Sequence, residues 1–157
     1  MVDIFSQKLI PWTHKVLNKF KVTNKQKLTP YNTKHGVFYN PNEGEVTFDS
    51  SWEEIRFKLL TRYNVRWYRN HKVKIPYISP KDNQTHYYIP DIYIVTPKQI
   101  VIEEIKPSSQ LNDPVVKAKK EAAIKFCSFH GMKYKIITEK ELLKIDEGYL
   151  FKGGEQK

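Results

Sequence analysis

From residue 51 onward the apolar positions fall into recognisable periods. Trp52, Ile55, Leu59, Leu60 and Tyr63 follow helical spacing. Ser50 or Ser51 is placed to cap that helix, and Glu53 or Glu54 sits three residues on, as a capping box requires. Residues rich in Val, Ile, Tyr and Thr then predict strands at Val65–Arg69, Val73–Ser79 and Thr85–Val95. Ser79-Pro80-Lys81-Asp82-Asn83-Gln84 is turn chemistry between the last two. Gln99–Lys106 reads as a further strand. Asp113-Pro114 starts a second helix, with Asp as N-cap and Pro in the first turn. Val115, Ala118, Ala122, Ile124, Phe126 and Phe129 carry that helix to about His130, and Gly131 ends it. A short strand at Lys133–Thr138 and a short helix at Glu139–Ile145 follow. Strand Gln99–Lys106, the second helix and strand Lys133–Thr138 form one candidate βαβ unit. The order helix, strands, helix, strand predicts an α/β domain with a central mixed β-sheet flanked by helices.

The first 42 residues break this regularity. They hold seven Lys against one acid, Asp3, for a net charge of +6, and contain Pro11, Pro30 and Pro41. No sustained period appears there apart from a short candidate helix at Thr13–Phe20. The division that follows is a basic arm over residues 1–45, a core over 46–146 and a tail over 147–157. The arm reads equally as a solvated extension or as a DNA-contacting segment.

Composition narrows the class of function. The chain has 157 residues and a formal net charge of +10, so a polyanionic partner, with nucleic acid foremost, is expected. No uncharged apolar run is long enough for a membrane span, and the first residues lack the features of a signal peptide. Cys127 is the only cysteine, which excludes an internal disulfide and a Cys-based zinc site and fits a reducing compartment. Its position among apolar helix residues points to the core. His14, His35, His71, His86 and His130 show no metal-ligand spacing. No glycine-rich phosphate loop is present.

Chemistry concentrates in Pro90-Asp91 and Glu104-Ile105-Lys106. If Pro97 and Lys98 form a two-residue turn, Thr96 pairs with Gln99 and Asp91 lies opposite Glu104. The two side chains then share a face with Cβ atoms roughly 4.5–5.5 Å apart. Lys106, two residues beyond Glu104, points to the same face. Facing carboxylates repel, and a divalent cation turns that cost into a binding site; Mg²⁺ takes one or two carboxylates plus water and phosphate. A neighbouring lysine can orient water or stabilise charge on a phosphate. Glu103 points to the opposite face and lacks a Lys two residues later. Glu53 is a third candidate acid, with helix capping as its equally weighted alternative.

Between Arg56 and Lys74 lie seven basic residues and no acid: Arg56, Lys58, Arg62, Arg66, Arg69, Lys72 and Lys74. Tyr63, Trp67 and Tyr68 are interleaved among them. The run suits phosphate contacts, with Trp67 and Tyr63 assigned to the core. No helix-turn-helix or zinc-finger pattern occurs, so backbone or shape recognition of DNA is expected rather than sequence readout.

Ser51-Trp52-Glu53, Tyr88-Ile89-Pro90-Asp91 and Glu104-Ile105-Lys106-Pro107 resemble the PD-(D/E)xK nuclease superfamily, restriction-endonuclease-like in fold with an αβββαβ core. The closer resemblance is to the TnsA-like group and, within it, the head-completion nucleases of large contractile-tailed phages. It runs over about residues 46–141 and includes Phe48-Asp49-Ser50-Ser51-Trp52-Glu53, Ile75-Pro76-Tyr77-Ile78-Ser79-Pro80, Ala118-Lys119, Phe126-Cys127 and Ile136-Ile137-Thr138-Glu139-Lys140. The segment Ser108–Asp113 is short for the phage subfamily. The resemblance implies a Mg²⁺- or Mn²⁺-dependent deoxyribonuclease. Its metal ligands would be Asp91, Glu104, the Ile105 carbonyl and Glu53, with Lys106 as catalytic lysine. It places Lys119 as a candidate phosphate contact, with a solvated helix lysine as the alternative, while the basic run supplies Arg56, Arg66, Arg69 and Lys72 as candidate DNA contacts. It further implies action on DNA at a filled phage head, head or neck proteins as partners, a homodimer if both strands are cut, and a place in the infected host's cytoplasm or on the virion. A transposase-associated or homing-type endonuclease and a non-catalytic basic virion component are the alternatives.

Overall fold

The computed structural model describes residues 30–151. The short helix expected at Thr13–Phe20 lies outside them. A hairpin of β1 (Gly36–Asn40) and β2 (Gly44–Phe48) precedes helix α1 (Ser51–Arg62). Strands β3 (Arg66–Tyr68), β4 (Ile75–Ile78), β5 (Thr85–Tyr88), β6 (Ile92–Val95) and β7 (Ile100–Ile105) follow, then helix α2 (Pro114–Phe129) and strand β8 (Lys133–Ile137). The central sheet has the order β3-β6-β7-β8, antiparallel at the first two junctions and parallel at the last. Setting aside the hairpins β1–β2 and β4–β5, the order is α1, β3, β6, β7, α2, β8. That is the αβββαβ core of a single restriction-endonuclease-like domain. Among the described residues no helix is long and apolar enough to cross a membrane.

Both helices are bounded by the residues that the sequence offers. Ser50 Oγ accepts from the Glu53 amide at 3.1 Å, and Glu53 Oε1 accepts from the Asp49 amide at 3.1 Å, a capping arrangement displaced by one residue. At the far end Asn64 adopts φ 58°, and Val65 and Asn64 donate back to the Leu60 and Thr61 carbonyls. Gly131, at φ 69°, closes α2 in the same way through Met132 to Cys127 and its own amide to Ser128. Asp113 Oδ1 accepts from the Val115 amide at 2.8 Å at the start of α2.

Helix α1 buries Trp52, Phe57, Leu59 and Leu60 against the sheet and the first hairpin. Phe57 stacks on Trp67 of β3 with centroids 4.6 Å apart, and Phe38 of β1 packs on both rings. Such aromatic pairs add about 0.5–1.5 kcal/mol beyond the area they bury.

Four expectations are corrected. The fold begins before residue 46: β1 and β2 alternate inward Phe38, Val46 and Phe48 with outward Val37, Tyr39, Glu45 and Thr47. Five-residue strands around a turn rich in Asn and Pro leave only a faint period. Buried Asn40 ties that turn to β3, donating from Nδ2 to the Trp67 carbonyl at 2.8 Å. The expected strand Thr85–Val95 is two strands, interrupted at Ile89-Pro90-Asp91, where Pro90 cannot donate to a ladder. The helix expected at Glu139–Ile145 is a series of turns, and the carbonyls of Glu141, Leu142 and Lys144 accept from Arg56 Nη1. The fold also extends past residue 146, with Tyr149 buried in the main core.

Candidate active site

The β6–β7 hairpin has the predicted register. Ile92 pairs with Glu103 and Val95 with Ile100, and the Thr96 amide closes the turn on the Gln99 carbonyl at 3.0 Å. One step beyond the paired residues, Asp91 and Glu104 face each other. Asp91 Oδ2 accepts from the Ile105 amide at 2.7 Å, and Glu104 Oε1 accepts from the Asp91 amide at 3.3 Å. Each carboxylate is thus held by backbone from the other's strand, in a half-buried cleft. The Pro90 break exposes these amides to side chains rather than to a ladder partner.

Electrostatics match this crowding. Burial, then the Glu104 and Glu53 charges, push the Asp91 carboxyl well above its usual range. Burial raises Glu104 from 4.5 to about 7, with Lys106 the strongest opposing pull, followed by the Asp91 amide and Lys119. Glu53 is also raised, mainly by burial. Three acids therefore act on one another across α1, the β6 entry and the end of β7. Their arrangement favours protonation or a cation.

Glu53 does both things weighed for it. It caps α1 through Ser50 and Asp49, and its charge reaches Asp91 and Glu104. Arg69 lies beside it, with Nε 3.9 Å from Glu53 Oε1 and Nη2 3.4 Å from Asp49 Oδ2. Arg69 Nε is buried without a hydrogen-bond partner among the described residues. The Arg69 backbone is anchored independently, its amide donating to Glu43 Oε2 at 2.5 Å.

Lys119 of α2 lies on the other side of Glu104. Its Nζ sits 5.5 Å and 5.4 Å from the ring centroids of Tyr77 and Tyr88. Glu104, Lys106, Lys119, Tyr88, Val116, Tyr134 and Ile136 surround a small cavity of about 10 Å³, roughly room for one water. Sequence reasoning missed Tyr88 and Tyr134. Burial raises both phenols, which keeps them neutral beside the carboxylates. Period-two alternation could have turned Tyr88 inward on β5, but nothing local ties Tyr134 to residues 46 positions away.

Lys72 and Arg66 are exposed, and the Arg66 guanidinium lies 4.7 Å from the Phe151 ring centroid. Arg56 is not a DNA contact. It is 1% exposed and bonded on both sides to Glu103, itself 0% exposed. The helical stripe that buries Trp52 and Phe57 carries Arg56 inward with them. His86 pairs with Asp82 at 2.8 Å, and His71 accepts the Val73 amide at Nδ1 while Nε2 donates to the Pro90 carbonyl at 2.7 Å. Cys127 is buried, and burial raises its thiol to about 11, which removes it as a nucleophile.

Among the described residues no three His, Cys, Asp or Glu side chains form a closed metal cage. The oxygen-only pair Asp91 and Glu104, mutually repelling and open towards Lys106, nevertheless suits a hard divalent ion that keeps several waters and binds through one or two carboxylates.

Residues 63–139 match the family model described as TnsA-like endonuclease N terminal. No curated protein matches the chain significantly. The matched segment holds Asp91, Glu104, Lys106 and Lys119 but begins after Glu53. Over residues 63–139 the chain is similar to the TnsA-like endonuclease domains, so the PD-(D/E)xK, TnsA-like identification read from its sequence holds there, and with it a nuclease activity in general terms.

Proposed function

We propose that this chain is a metal-dependent DNA endonuclease that hydrolyses phosphodiester bonds. The observation that carries the reading is the facing pair Asp91 and Glu104, each bonded to the other strand's backbone, with Lys106 two residues on. Asp91, Glu104 and the Ile105 carbonyl are the proposed Mg²⁺ or Mn²⁺ ligands, and Glu53 completes the acidic set. A divalent ion there supplies charge neutralisation at the phosphate and lowers the pKa of a water. Lys106 offers an ammonium that orients water and stabilises negative charge developing on the phosphate during in-line attack. Lys119, stacked over Tyr77 and Tyr88, brings a second cation to the Glu104 end of the site. Arg66, Arg69 and Lys72 are the proposed phosphate contacts of the flanking duplex. They position DNA without reading its sequence.

The biological setting we propose is DNA processing at a filled phage head before tail joining, with head or neck proteins as partners. Cutting both strands would need a homodimer or two successive nicks. The match to a TnsA-like family equally supports a transposition-associated endonuclease. Two experiments test the reading. Incubating a labelled duplex with protein and Mg²⁺ should yield fragments whose masses carry one added water per cut, and none with EDTA; intact duplex under every metal and DNA form overturns the nuclease reading. Deleting the gene in its phage should leave filled heads that fail to join tails; normal virion assembly overturns the head-completion setting alone.

A further inference from the structure

Behind the carboxylates, on the opposite face of β7, lies a buried ionic cluster that the proposed reaction does not use. Arg56 donates from Nε to Glu103 Oε1 at 2.8 Å and from Nη2 to Oε2 at 2.7 Å. Its Nη1 reaches the carbonyls of Glu141, Leu142 and Lys144 at 3.1, 3.1 and 2.7 Å. Tyr149 Oη donates to Glu103 Oε2 at 2.7 Å. Burial pulls the Arg56 pKa down and Glu103 raises it by more, so the guanidinium stays charged.

Stability alone is a weak reason for such a cluster. Two charges removed from water cost heavily, and well-packed apolar residues often do as well or better in their place. Position supplies a stronger reason. Arg56 lies one helical turn after Glu53, on the same buried stripe of α1. Glu103 immediately precedes Glu104 and pairs in register with Ile92, the neighbour of Asp91. The bonds therefore join α1 to the β6–β7 hairpin beside each of the three acids. Only Glu103 lies inside the segment that matches the nuclease family; Arg56 and Tyr149 come from the chain on either side of it.

We propose that Arg56, Glu103 and Tyr149 form a positioning clamp that sets Glu53 of α1 against the Asp91–Glu104 pair, so that segments flanking the matched nuclease domain are needed to assemble the acidic site. The consequence for cleavage rests on the nuclease reading; the consequence for geometry and metal binding does not.

The test uses the full chain with Tyr149→Phe, which keeps the ring and removes one hydrogen bond, and Glu103→Gln, which keeps the shape and removes the charge. Folding is checked by thermal melting. Backbone amide resonances of Glu53 and Asp91, distant in sequence from both substitutions, report the site's geometry, and a Mn²⁺ titration reports its affinity. Both variants should fold, move the Glu53 and Asp91 resonances, and bind Mn²⁺ three- to tenfold more weakly, with Glu103→Gln the larger effect. Single-turnover cleavage should fall by a similar factor at limiting metal and recover at high metal. Folded variants with unmoved Glu53 and Asp91 resonances and unchanged Mn²⁺ affinity overturn the proposal, whatever their melting temperatures. If one variant fails to fold, the other decides. If the wild-type chain cuts no DNA, the nuclease reading fails, while the resonances still judge the clamp.

Discussion

Replacing Glu104 by Gln should stabilise the metal-free protein, and the gain should grow with pH. The unfolded chain releases the Glu104 proton near 4.5, whereas the folded chain holds it to about 7. Between those values unfolding releases a proton, so stability falls as pH rises and levels off above the folded value. A rise from 4.5 to about 7 corresponds to about 3 kcal/mol, at about 1.4 kcal/mol per pKa unit. Gln keeps an oxygen for the Asp91 amide and removes the charge that helps raise Asp91. Urea unfolding in EDTA from pH 4 to 9 measures this directly. Glu104 should account for about 3 kcal/mol of the wild-type decline across that span, and Glu104→Gln should lose that share while keeping the decline that burial of Asp91 and Glu53 contributes. Saturating Mg²⁺ at about 100 times its dissociation constant should return about 2.7 kcal/mol to the wild type and far less to the variant. Parallel profiles for the two proteins would refute the argument that burial and like charge, rather than a satisfied hydrogen-bond network, govern this pair.

Lys106→Met should leave folding and Mn²⁺ affinity close to wild type while lowering the cleavage rate by about 10²–10⁴-fold, the range for a group acting on the transition state; a rate within threefold of wild type would remove Lys106 from the chemistry. The double variant Arg66→Ala, Lys72→Ala should weaken duplex binding and flatten its dependence on log salt by about 2, and fluorescence anisotropy at several salt concentrations would expose an unchanged slope. Gly36→Ala should cost about 1–3 kcal/mol in urea unfolding, because an added Cβ would lie 2.2 Å from the tip of the Phe48 ring; a neutral result would mean that Phe48 has room to turn.

The parts of the fold legible in the sequence are those with local chemistry. Asp113-Pro114 and Gly131 bound α2 because capping needs only neighbouring residues. The Asp91–Glu104 pairing followed from a two-residue turn, since register in a hairpin is set by its loop. The first hairpin was less legible, as its strands are short and its stabilising bonds from Asn40 and Glu43 run to β3 and to the Arg69 and Asn70 amides. Arg56 shows the deeper limit. In a run of seven basic residues it looks like its neighbours, and only the helical stripe shared with Phe57 distinguishes it. Its partner Glu103, and the Tyr149 that bonds Glu103, lie tens of residues away, so no window along the chain contains them. Tyr134 is hidden for the same reason. Glu53 was readable as both a cap and an acid because both roles stem from its place in the first turn of α1.

The most direct test of the account is nicking of supercoiled plasmid, with wild-type chain and Asp91→Ala side by side in Mg²⁺, Mn²⁺ and EDTA. The account predicts relaxed circles from the wild type with either metal, none with EDTA, and none from Asp91→Ala with any metal. Nicking that persists in Asp91→Ala, or in EDTA, would contradict it.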